Sequence, residues 1–174
     1  KPAGIWQGLA ASVASMEGAR EIIQTAADRF GRIDILVNNA GIMRRKPLVE
    51  MTEQDFDEVI ATNLKGTFAC TRYAVPHMID QKWGRIINLS SGSILGQEGA
   101  TSYASSKRCV WNISLTWAVE LAQAGTTSHH IRSHPATHNR DAGASRADPA
   151  PPSPAATNTQ PPRHGIASHS ASHH

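Results

Sequence analysis

The sequence predicts an α/β fold, a doubly wound parallel sheet with helices on both faces. Two observations carry this. Segments with apolar residues at helical spacing alternate with short aliphatic, β-branched runs, the repeating signature of parallel strands joined by helices. Both clear strand-like runs also end in polar turn segments, Asn38-Asn39-Ala40-Gly41 and Ser90-Ser91-Gly92-Ser93, and sites in such sheets lie beyond the C-terminal strand ends.

The elements follow in order. From Ser15 to Phe30, Ala19, Ile22, Ile23, Ala26, Ala27 and Phe30 mark one helical face, and Gly31 stands where a C-cap belongs. Ile33 to Val37 is a buried-type strand. Thr52 followed by Asp55 resembles a capping box with a shorter acid, opening a long helix over 52–80 that is expected to kink near Pro76. Arg85 to Leu89 is a second strand, and a third helix runs from Ser102 to about Ala122. A loose strand remnant is expected over Gln7–Val13.

Composition divides the chain at Gly125. Eight of nine histidines and seven of ten prolines follow it, with only Ile131 and Ile166 as large aliphatic residues. Residues 126–174 show neither helical nor strand period and are expected to be a disordered Ala/Pro/His/Ser-rich tail. The abrupt switch reads like GC-rich coding sequence in the wrong frame, placing a frameshift near residue 125.

The overall charge of +3, from 17 basic and 14 acidic residues, is nearly balanced. The tail is dilute in charge and lacks aromatic residues, which argues against nucleic-acid binding. Cys70 and Cys109 form no ligand or disulfide pattern, and loose tail histidines give no framework for a metal centre, so no metal is expected. No apolar run approaches the roughly 20 residues a membrane span needs. A cytoplasmic setting is the expectation.

Chemistry concentrates in YASSK. Tyr103 and Lys107 lie four apart, on one helical face, where an ammonium favours phenolate over phenol and brings tyrosine toward the range of a general acid/base. Alone, this spacing more often marks a surface Tyr and Lys. It is not alone: NNAG at 38–41, Asn63 in ATNLKG, and Ser90-Ser91 precede it in order. Together these four motifs closely resemble the short-chain dehydrogenase/reductase family, of classical type, over about Leu9 to Gly125.

The resemblance implies a partial Rossmann-like sheet in residues 1–125 and an NAD- or NADP-dependent oxidoreductase that interconverts a ketone and a secondary alcohol. A 3-oxoacyl thioester or a sugar or polyol is the implied substrate class. Tyr103 would transfer the proton. Lys107 would steady the phenolate and hold the nicotinamide ribose, and Asn63 would anchor a water linking Lys107 to solvent. A serine would bond the substrate oxygen: Ser91 by its place on the strand, Ser90 by the usual interval to tyrosine. Asn38, Asn39, Ala40 and Gly41 would pack against the adenosine side of the dinucleotide. The family's partner is a small carbonyl or alcohol, and the intact member would be a homo-oligomer.

The chain also departs from the family. Its TGxxxGxG turn and the surrounding first third of the domain are absent, Ser12 stands where relatives carry aspartate, and nothing after Thr126 resembles the closing strand and Pro-Gly turn. A sheet lacking both flanks should be unstable or aggregation-prone alone. An inactive remnant that only self-associates through its long helices is therefore the alternative reading.

Overall fold

In the computed structural model, which describes residue 5 and residues 7–133, helix α1 (Met16–Phe30) begins at Ser15, whose side chain accepts a hydrogen bond from the Gly18 amide. It ends at Gly31 in the left-handed region, as a C-cap requires. Strand β1 (Ile35–Asn38) follows. Thr52 and Asp55 exchange the two bonds of a capping box and start α2 (Glu53–Val59).

The long helix then departs from expectation. Ile60–Lys65 widens into a π segment before α3 (Gly66–Asp80), and Pro76 lies inside α3. The break falls at 60–65, well ahead of the proline, in the kind of insertion that often marks a functional site.

Strand β2 (Gly84–Ser91) pairs in parallel with β1, setting Asn38 beside Asn88. Helix α4 (Thr101–Glu120) leads to Gly125, at φ 71°. A Cβ there would lie 2.3 Å from the Lys82 carbonyl oxygen, so only glycine fits the turn.

Beyond that turn the chain corrects the expected tail boundary. Thr126–Ser133 forms strand β3, parallel to β2 along its whole length, giving the order β1-β2-β3. The physical reason is that a main-chain ladder needs no apolar period, and the buried positions Thr126 and Ser128 are small enough to lie beneath α4. The rest of the expected tail, 134–174, lies outside the described residues. The remnant strand at 7–13 is also corrected: residues 7–12 are irregular and pair with no strand.

Among the described residues the helices gather on one face of the sheet. The core joins Ala19 and Ile23 of α1, Ala69, Ala74 and Met78 of α3, and Ile86 of β2. Beside it runs a buried polar layer. Asn38 Nδ2 donates to Thr71 Oγ1 at 3.0 Å and to Asn88 Oδ1 at 2.8 Å, and Asn88 Nδ2 donates to Ser114 Oγ at 2.8 Å. Ile35, Val37 and Ile131 on the other face are 56, 53 and 52% exposed. The second layer of helices expected of the whole pattern is thus absent from the described residues.

Candidate active site

The π segment turns Asn63 inward, where it is fully buried. Its Oδ1 accepts from the Ile42 amide at 2.8 Å, and its Nδ2 donates to the Ile42 carbonyl at 3.0 Å and to Ser106 Oγ at 3.1 Å. Ser106 in turn donates to the Tyr103 carbonyl at 2.7 Å. One amide therefore fastens the segment after NNAG to the first turns of α4.

Three motifs converge here. A Cβ built on Gly41 would stand 3.3 Å from Asn63 Oδ1 and 3.5 Å from Lys107 Nζ. Lys107 is buried, and its Nζ donates to the Leu89 carbonyl at 2.7 Å, at the end of β2. Nζ also lies 5.9 Å from the centre of the Tyr103 ring, so the two side chains share one space. Burial pushes the lysine pKa below its ordinary value, since a desolvated ammonium is disfavoured.

The two serines take different roles. Ser90 is buried under α4 and donates to the Lys107 carbonyl at 2.9 Å. Ser91 sits at the strand end, where its Oγ accepts from the Ser93 amide and pairs with Ser93 Oγ, both at 3.2 Å. These long contacts are easier to exchange than the bond that fixes Ser90.

Asn38 spends its amide inside the sheet, whereas Asn39, Ala40 and Gly41 are exposed at the exit of β1. With Val13, Leu36 and Thr67, this turn borders a cleft of about 110 Å³. Both amide protons of Asn63 are engaged. A water held by this residue would use the spare acceptor capacity of Oδ1 or the backbone carbonyl, which already accepts from Thr67 Oγ1 at 2.8 Å.

The basic run beyond the turn is tied down locally. Arg44 pairs with Glu58 at 2.9 Å, Arg45 donates to the Glu98 carbonyl at 3.2 Å, and Lys46 pairs with Asp55 at 2.7 Å. Hydrogen bonds from Lys46 and Thr52 hold the Asp55 carboxyl well below the usual carboxylate range. Sequence reasoning missed Ser106, although it sits inside YASSK, one turn from Tyr103. It also missed the Leu89 carbonyl, which no side-chain pattern could signal.

Comparison with known proteins gives the family. A model of the short chain dehydrogenase family matches residues 6–136. The chain is 47% identical over 112 residues to the 3-oxoacyl-acyl-carrier-protein reductase FabG of Thermotoga maritima, covering 64% of this chain and 46% of that protein. It is 42% identical over 120 residues to BbsD, a subunit of a hydroxy(phenyl)methylsuccinyl-CoA dehydrogenase of Thauera aromatica, covering 69% and 48%. A solved structure of ElxO with NADP bound superposes with a TM-score of 0.68 at 37% identity, covering 71% of this chain and 50% of that one. The chain spans about half the length of the relatives it matches.

Proposed function

The chain belongs to the short chain dehydrogenase family, and from that premise we propose that it holds the proton-transfer half of an NAD- or NADP-dependent oxidoreductase interconverting a ketone and a secondary alcohol. The observation that carries the reading is a buried ammonium, Lys107 Nζ, 5.9 Å from the Tyr103 ring centre and beside the glycine of the NNAG turn. The residues present fit the nicotinamide-ribose end of a dinucleotide, because a side chain at Gly41 would fill the space next to Nζ. When bound, the dinucleotide supplies the hydride.

This chain's residues handle the proton and the substrate oxygen. Tyr103 gives its phenolic proton to the carbonyl oxygen as reduction proceeds, and takes it back during alcohol oxidation. Lys107 favours the resulting phenolate and would donate to the ribose of a bound dinucleotide. Ser91 turns its hydroxyl from Ser93 to the substrate oxygen, and Ser90 holds α4 in register against β2. Asn63 fixes Ile42, and through it Gly41 and the exposed Asn39 and Ala40, against which the cofactor would pack; Asn38 anchors the turn.

Among substrates, a 3-oxoacyl thioester is favoured over a sugar or polyol, since two curated relatives at 42–47% identity are named for acyl-carrier or coenzyme A thioesters. The test is oxidation of reduced NAD or NADP by the full chain with such a thioester. Tyr103→Phe should lower turnover about 10²- to 10⁴-fold, the usual range for a general acid. Turnover unaffected by the substitution would end the reading.

One observation favours the remnant alternative. A groove of about 230 Å³ between α3 and α4, lined by Phe68, Val75, Pro76 and Trp117, presents apolar surface suited to a second copy. Self-association without any cofactor binding would select it.

A further inference from the structure

A second cleft, of about 470 Å³, includes Ser90 near the C-terminal end of β2 in its lining. Ile94 and Leu95 supply apolar contact, while Arg108 and Trp111 of α4 and His130 and Arg132 of β3 line the rest. Its polar side chains are nearly all hydrogen-bond donors. Two are permanent cations, and among the described residues no carboxylate lines the cleft.

The donors are also arranged. The Arg108 guanidinium stacks 4.0 Å over the Trp111 ring, which holds its planar fork in place. The His130 ring meets the same indole edge-on, at 5.5 Å and 65°. The Trp111 Nε1 proton is buried yet has no acceptor among the described residues, and an unsatisfied buried donor is a standing demand for an acceptor. Cationic groups, an orphan N–H and the absence of acids all ask for one kind of ligand.

We propose that this cleft is an oxyanion subsite, taking a carboxylate or phosphate carried by the substrate whose carbonyl meets Tyr103. The substrate assignment rests on the oxidoreductase reading; the anion binding does not. Neither guanidinium forms a salt bridge among the described residues, so both are available to an incoming charge. Ser90, which lines the cleft, donates to the main-chain carbonyl of Lys107, and this ties one wall of the subsite to the helix that carries the reacting pair.

The experiment is a titration of the full chain with inorganic phosphate and, separately, with acetate, followed by the indole N–H resonance that disappears in Trp111→Phe. The expected result is a saturable shift of that resonance by one or both anions, and the tighter probe names the group. Arg108→Gln should weaken binding about tenfold or more, the usual effect of losing a charge-assisted bond. Arg132→Gln at the strand end should do likewise, and keeps the test open should Arg108→Gln unfold by losing its stack. Tyr103→Phe should leave the shift intact, so loss of turnover and loss of anion binding are read separately. No saturable shift with either anion, or an equal shift with chloride at matched ionic strength, overturns the proposal.

Discussion

Replacing Asn63 with alanine tests how the site is held together. The side chain is fully buried and makes three hydrogen bonds, two to the Ile42 backbone and one to Ser106. At roughly 1 kcal/mol net for each bond, their loss removes about 3 kcal/mol. The cavity left by the amide adds to this, while water reaching Ile42 offsets part of it. For a domain of this size, about 3 kcal/mol corresponds to a fall in Tm of roughly 10 °C. Thermal and urea unfolding of parent and variant, followed by circular dichroism, read the difference. Asn63→Asp is the sharper companion, because it keeps the shape but sets an acceptor against the Ile42 carbonyl and should destabilise at least as much. If Asn63→Ala stays within about 0.5 kcal/mol of the parent, as for an ordinary surface change, the amide does not fix the turn and the account of Gly41 and Lys107 loses its support.

Further outcomes follow from other local contacts. Gly125→Ala should destabilise by more than about 1 kcal/mol, since the left-handed turn disfavours a side chain and the new Cβ would collide with the Lys82 carbonyl; chemical denaturation measures it, and an unchanged midpoint would refute the turn. Asp55 has a lowered folded pKa, so its contribution is present above its unfolded pKa of about 4 and is lost as pH falls toward the folded value. Asp55→Asn should accordingly flatten the acid side of a stability–pH profile while costing stability at neutral pH. Of the two thiols, exposed Cys109 should react with a thiol reagent at once. Cys70, buried and with its pKa raised by burial, should react only after unfolding.

The sequence made the local devices readable. Ser15, Gly31 and the Thr52–Asp55 box each act within a few residues, so their chemistry was visible without the fold. The π segment was hidden because Phe56, Val59, Ile60, Leu64 and Phe68 carry an unbroken helical stripe across it. Its trace was Asn63 itself, a polar side chain between Ile60 and Leu64 that must find buried partners. Strand β3 was illegible for a different reason. All but Ile131 of its residues are polar, without alternation, and what places them is the edge of β2, about forty residues away in sequence, together with a glycine turn. Composition reports whether a segment can bury apolar surface, not whether a backbone edge is waiting for it.

The spacing of Tyr103 and Lys107 promised proximity but said nothing of what the lysine would cost. Among the described residues the ion pairs are Arg32–Asp34, Arg44–Glu58 and Lys46–Asp55, each with at least one partner well exposed to solvent. Lys107 is buried with no carboxylate partner among the described residues, held by a main-chain carbonyl, and its pKa is depressed by desolvation. A cation placed this way destabilises the empty fold, and a purely structural role would favour an apolar residue or a paired charge instead. Such a placement makes sense where a negative charge arrives later, as a phenolate forming on the neighbouring ring would provide. The resulting expectation is directional: with its folded pKa below the unfolded one, the lysine binds fewer protons in the folded chain, so its penalty eases as pH rises toward its ordinary value near 10.5.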